Sequence, residues 1–171
     1  MTSDALRHHP TLPMPARGRP DEIKEQAVSV PTGDSEQVRA FVQEQQRRKH
    51  IVMVDSSRVF MEIITELLLD ERYGVTASDY VPEIFTQIAH LTPDLVIVDL
   101  VLTVKAGWEL LEQLELETLT RNIPVIVTST DVHLLARALE NQARYGFDNY
   151  LVKPFDLDVL LAAIEELIGA A

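Results

Sequence analysis

Five times after His50 the chain passes from a short unbroken apolar run into a stretch with helical spacing. The runs are Ile51–Val54, Gly74–Ala77, Leu95–Val98, Pro124–Thr128 and Tyr150–Val152. Continuous rather than alternating apolar runs are the mark of strands covered by helices on both sheet faces. Between them, apolar residues recur every three or four positions. Phe60, Ile63, Ile64, Leu67 and Leu68 form one stripe, and Ile84, Ile88 and Leu91 a second. Trp108, Leu111 and Leu114 form a third, Leu135, Ala138 and Leu139 a fourth, and Val159, Leu160, Ala163, Ile164 and Leu167 a fifth. Pro82 suits the start of the second helix, where its missing N–H costs nothing, and Asp156 is placed to cap the last. Five strand–helix units predict a doubly wound α/β domain over residues 50–171, a parallel sheet with helices on both faces.

The pattern is different before His50. Pro10, Pro13, Pro15, Pro20 and Pro31 fall among few large apolar side chains. Such a composition buries too little surface to offset the entropy of ordering, so residues 1–33 are expected to form a disordered arm. His8-His9, an adjacent pair in that arm, reads as solvated rather than metal-binding. Residues 34–49 read as a short helix or linker, with Asp34 as cap, Gln37 three positions on, and Val38, Phe41 and Val42 on one face. Arg47-Arg48-Lys49 would be its solvated basic end, complementing its dipole.

Charge sharpens this division. Residues 1–50 carry 8 basic and 7 acidic side chains, whereas residues 51–171 carry 7 and 20. A folded part so acidic lacks the clustered cations that phosphate contacts need, so nucleic acid is not an expected partner. Proteins and divalent cations are. No run approaches the ~18 apolar residues of a membrane span, and the N-terminus lacks the pattern of a secretory signal. The 171 residues include no cysteine, which excludes disulfides and thiolate metal sites and fits a cytoplasmic protein.

In a doubly wound sheet the site lies beyond the carboxyl ends of the strands, where strand order reverses. The residues at those ends are Asp55, Asp99, Ser129 and Lys153. Taken singly, each has an ordinary reading: helix cap, turn residue, surface lysine. Together, two carboxylates, a hydroxyl and an amine are the parts needed to hold a phosphoryl group. A carboxylate nucleophile attacking a phosphoryl donor must overcome charge repulsion, which calls for a divalent cation and a lysine. His90 and His133 have no companions at metal-ligand spacing, and Trp108 reads as helix packing. The chain carries no Gly-rich phosphate loop that would take ATP directly.

Four segments carry a resemblance to the receiver domains of bacterial response regulators. They are Ile51-Val52-Met53-Val54-Asp55-Ser56-Ser57-Arg58, Pro93-Asp94-Leu95-Val96-Ile97-Val98-Asp99-Leu100, Ile123-Pro124-Val125-Ile126-Val127 and Gly146-Phe147-Asp148-Asn149-Tyr150-Leu151-Val152-Lys153-Pro154. Gly107 also falls where that family keeps a glycine. The resemblance implies a flavodoxin-like fold with strand order 2-1-3-4-5. It makes Asp99 the phospho-acceptor and assigns a Mg²⁺ site to Asp55, Asp99 and the backbone carbonyl of Val101. Ser129 becomes the hydroxyl that senses the phosphoryl group, Tyr150 the aromatic switch and Lys153 the cation on the acyl phosphate, with a cis bond to Pro154.

The chain departs from the family at Ser56, where a second acid usually ligates the metal. An opposed charge pair ~4 Å apart is worth up to ~4 kcal/mol at an effective dielectric of about 20, before desolvation. Weak Mg²⁺ binding is therefore expected. Thr103 and Ala106 stand where proline and aspartate are usual. The resulting expectation is a single-domain response regulator of two-component signalling, a signalling protein rather than an enzyme. A histidine kinase or phosphotransfer protein would donate phosphate to Asp99, and the fourth and fifth helices would contact a downstream protein. The alternative is a degenerate receiver that binds protein without phosphorylation. A phosphatase of the haloacid dehalogenase type is rejected, because its second acid, two residues past the nucleophile, is here Val101.

Overall fold

The computed structural model describes residues 48–101 and 105–171. The expected arm, the expected helix up to Arg47, and Thr103 lie outside these residues. Five strands, β1 (His50–Val54), β2 (Gly74–Ser78), β3 (Leu95–Asp99), β4 (Val125–Ser129) and β5 (Asn149–Val152), form one sheet. All neighbours are parallel and the order is β2-β1-β3-β4-β5, as expected. Five helices follow the strands in turn: α1 (Arg58–Asp70), α2 (Ile84–Leu91), α3 (Lys105–Leu116), α4 (Val132–Glu140) and α5 (Leu157–Ile168). A single helical turn, Gln142–Tyr145, lies between α4 and β5 and ends on Gly146, whose φ of +56° suits glycine.

Adjacent residues in a strand point to opposite faces, and each central strand therefore feeds two cores. Val52, Val54, Val96, Val98 and Val127 pack against α2, α3 and α4. Ile51, Met53, Leu95, Ile97 and Ile126 pack against α1 and α5 on the other side. The central strands β3 and β4 are buried throughout. The edge strand β2 is only half-covered and has an exposed alanine, Ala77. Its run, Gly74-Val75-Thr76-Ala77, includes a polar threonine and only one large aliphatic side chain, which is the sequence trace of that edge.

Two carboxylates fix the amino-terminal end of the sheet, opposite the candidate site. Asp94 accepts from the backbone N–H of His50 at 2.7 Å, and Asp148 accepts from that of Val125 at 2.9 Å. The helix ends follow their sequences with two corrections. Ser57 caps α1, accepting from the N–H of Phe60. Asp156 holds the N-cap position of α5, but its side chain makes no capping hydrogen bond. Lys49 is not the solvated end of a helix of its own. Arg48 and Lys49 are non-helical, and the Lys49 ammonium donates to the carbonyls of Ile168 and Ala170 at the end of α5. It complements the dipole of a helix remote in sequence.

Candidate functional site

Parallel register brings the strand ends to one level. Asp55 follows β1 directly, Asp99 is the last residue of β3, and Lys153 follows β5. Backbone bonds tie these ends together: Asp55 N–H donates to Ser78 O, Leu100 N–H to Thr128 O and Lys153 N–H to Ser129 O. The crevice between β1 and β3 is where strand order reverses.

Lys153 is the hinge of the site. Its ammonium stands 2.5 Å from Asp55 Oδ2 and 2.8 Å from Asp99 Oδ1, bridging the two carboxylates. The face of Phe60, from the first turn of α1, lies 3.9 Å from Nζ, a distance at which a cation is attracted by the ring. Phe155 supports that ring edge-on. Asp55 Oδ1 accepts from the N–H of Ser57 at 2.7 Å, which orients its carboxylate. Both aspartates are buried. Burial is the largest influence on Asp99 and pushes its carboxyl above the usual range. Hydrogen bonding and charge from Lys153 oppose that shift, and the Asp55 charge adds to it.

The remaining predicted residues stand around this centre. Ser129 is fully buried, donating to Leu100 O at 2.6 Å and accepting from the N–H of Asp131 at 3.1 Å. Tyr150 is half-buried against the core under α2, α3 and α4. Val101 is half-buried in the loop after β3, and Ser56 is exposed. The Lys153–Pro154 bond is cis. Asp131 has a defined local task, capping α4 through bonds to the N–H groups of His133 and Leu134. Trp108 packs, as expected, with its ring 4.7 Å from that of Tyr145.

Three participants escaped the sequence reading. Tyr80, in the loop after β2, donates its hydroxyl to the backbone carbonyl of Asp99. Burial, then the charges of Asp99, Asp55 and Asp79, raise its pKa and keep it protonated as a donor. Its position just past a strand end was the available signal. Thr128 pairs in register with Asp99 and donates to Asp99 Oδ1 over 3.4 Å. Phe60 was read only as part of a core stripe. Gly107 also gains a reason. A Cβ there would stand 3.0 Å from Tyr80 Oη and 3.2 Å from Asp99 O, so the glycine lets α3 approach the acidic strand end.

The donor set fits a hard cation. Asp55 and Asp99 offer carboxylate oxygens, and Mg²⁺ keeps several waters, so few protein ligands suffice. Among the described residues no three His, Cys, Asp or Glu side chains cluster to hold a metal.

The family model of the response regulator receiver domain matches residues 51–165. The chain belongs to that family. Among its relatives, hybrid signal transduction histidine kinase D of Dictyostelium discoideum is 33% identical over 120 residues, 69% of this chain and 7% of that protein. The chain spans about half the length of several curated regulators it also matches. A putative response regulator from Chloroflexus aurantiacus superposes with a TM-score of 0.64 at 22% identity, covering 71% of this chain and 98% of that one. The receiver domain of the sensor histidine kinase PA1611 from Pseudomonas aeruginosa, with a magnesium ion coordinated in its active site cleft, gives 0.57 at 23%, covering 72% and 100%. Receiver domains work in two-component signalling, and phosphoryl acceptance is implied by membership. No helix among the described residues is long and apolar enough to cross a membrane.

Proposed function

We propose that this receiver accepts a phosphoryl group on Asp99 from the phosphohistidine of a histidine kinase or phosphotransfer protein, and signals as a single domain through protein contact in the cytoplasm. The observation that carries the reading is Lys153 held between Asp55 and Asp99. A buried carboxylate with an ammonium at 2.8 Å has a nucleophile and a charge neutraliser in one place. One Asp99 oxygen attacks phosphorus, the P–N bond breaks, and the imidazole nitrogen keeps the electron pair and takes a proton. Asp55, Asp99 and the Val101 carbonyl would hold Mg²⁺, weakly without an acid at Ser56, and the bound ion would add neutralising charge for the phosphoryl oxygens. Lys153 stays on the acyl phosphate.

In this reading Ser129 turns from Leu100 O toward the phosphoryl oxygens and Tyr150 fills the space it leaves. Both changes bias the surface of α4 and α5 toward a downstream protein. The acidity of residues 51–171 favours a protein target over nucleic acid. The protein is then a phospho-acceptor rather than an enzyme, assisting at most its own phosphorylation and dephosphorylation.

A second reading, a receiver that binds protein without phosphorylation, draws support from Ser56 and from the Lys153 bridge, which satisfies both carboxylates without a metal. Intact mass after incubation with acetyl phosphate and Mg²⁺ separates the two. The first reading requires a gain of ~80 Da, set by one phosphoryl group, that Asp99→Asn abolishes. No gain at any Mg²⁺ concentration supports the second. Label that persists on Asp99→Asn sinks the assignment of the acceptor.

A further inference from the structure

A groove of about 400 Å³ runs along the outer flank of α1 where it overhangs the edge strand β2. Met61, Thr65, Leu69 and Ala77 line it together with Glu66 and the Arg58–Glu62 ion pair. Leu69 is 50% exposed. The chain enters the domain at the foot of this groove. Lys49 O accepts from the N–H of Gly74, the first residue of β2, at 2.8 Å. The Lys49 side chain is held on the other side by the end of α5. The short turn from α1 into β2 brings Leu69 to the same corner, since Tyr73 N–H donates to Leu68 O there.

We propose that residues 34–47 of this chain occupy the groove as an amphipathic helix lying alongside α1. Their apolar residues Val38, Phe41 and Val42 fall on one face, the spacing with which a helix anchors in a groove. A helix over these residues would be ~21 Å long at ~1.5 Å per residue, close to the length of α1. It ends at the foot of β1, and so does α1, so the two run parallel and share one rise per residue. With Arg47 level with Asp70, Arg39 comes level with Glu62, Val42 with Thr65 and Val38 with Met61. Arg39 thus joins the Arg58–Glu62 ion pair beside Glu66, while Val38 meets Met61 and Val42 meets Thr65 on the floor. Because the segment is tethered at Lys49, an effective concentration of order mM makes even weak contacts sufficient. The proposal does not depend on phosphorylation.

The sequence holds no cysteine, so disulfide trapping in the full chain is clean. Val42→Cys combined with Thr65→Cys is compared with Val42→Cys combined with Leu116→Cys, whose second site lies on α3 across the sheet. Under mild oxidation in dilute solution the first pair is expected to close within one chain roughly tenfold faster than the second, the advantage of proximity. Separately, Phe41→Asp in the full chain should shift amide resonances of residues 58–70 and 74–78. Equal rates for the two pairs overturn the proposal. So does a disulfide that joins two chains, which would make a second copy the occupant. Amides of α1 and β2 unmoved by Phe41→Asp overturn it as well.

Discussion

Asp99 carries its charge against the preference of its surroundings. Its pKa is raised in the fold, so between the unfolded value of about 3.9 and the folded one the native state binds more protons than the unfolded chain. The stability this group contributes is therefore present below that window and lost as pH rises through it. Asp99→Asn, which keeps the shape and removes the charge, is expected to raise the urea midpoint at pH 7. The gain should fade below about pH 4, where both forms are neutral. A variant no more stable than wild type at pH 7 would show that Lys153 outweighs burial. The lifetime of the acyl phosphate is also decided by single residues. Val101, two positions past Asp99, has no group to orient a water, and Asp131 is engaged in capping α4 with bonds of 2.8 and 3.4 Å. A positioned water supplies the near-attack geometry that hydrolysis needs. Slow hydrolysis is expected, with Val101→Asn shortening the half-life of phospho-Asp99 on the order of tenfold. Label decaying equally from both proteins would acquit Val101. At this scale Asp55, Asp99 and Lys153 were legible because each directly ends a strand. Tyr80 and Thr128 were not, because the first depends on the path of a loop and the second on pairing across strands.

Among the elements, α4 is the one most directly wired to the site. Ser129 bridges Leu100 O and the N–H of Asp131, and Asp131 caps α4. If Ser129 turns to a phosphoryl oxygen it gives up both bonds, and the first turn of α4 loses its tether to β3. Each such bond is worth only about 1 kcal/mol, a suitable size for a reversible shift between two arrangements. Beryllofluoride, an acyl-phosphate mimic, is expected to shift amide resonances in residues 131–145 as well as around Asp99. In Ser129→Ala the pocket shifts should remain while those of α4 largely vanish. Equal α4 shifts in both proteins would place the coupling elsewhere, with Tyr150 the next residue to test. The strand boundaries were legible within a residue, because each apolar run is continuous, while the helices were legible as apolar stripes and not by their ends. The role of Lys49 was not. Its neighbours in sequence suggest a helix end, whereas its partners lie at the far terminus, and no local pattern carries that contact.

For the whole molecule the order of strands was legible only through the family resemblance. Five strand–helix units allow more than one winding, and periodicity does not choose among them. What composition does state is charge: 20 acidic against 7 basic side chains over residues 51–171. Self-repulsion of this size lowers the stability of the compact state and is relieved by any added salt. Mg²⁺ should therefore act twice, once by screening and once at the Asp55–Asp99 pair, and the two effects are separable. At matched ionic strength, MgCl₂ is expected to stabilise the protein beyond NaCl by about 1.4 kcal/mol when Mg²⁺ is tenfold above its Kd. That excess should disappear in Asp99→Asn, whereas the screening part should survive. Ser56→Asp supplies a third carboxylate and should reach the same excess at lower Mg²⁺. It should also reduce stability slightly without metal, because a further carboxylate joins two already close. Screening alone would give identical curves for the two salts in all three proteins, and the Mg²⁺ site would then be lost from this receiver.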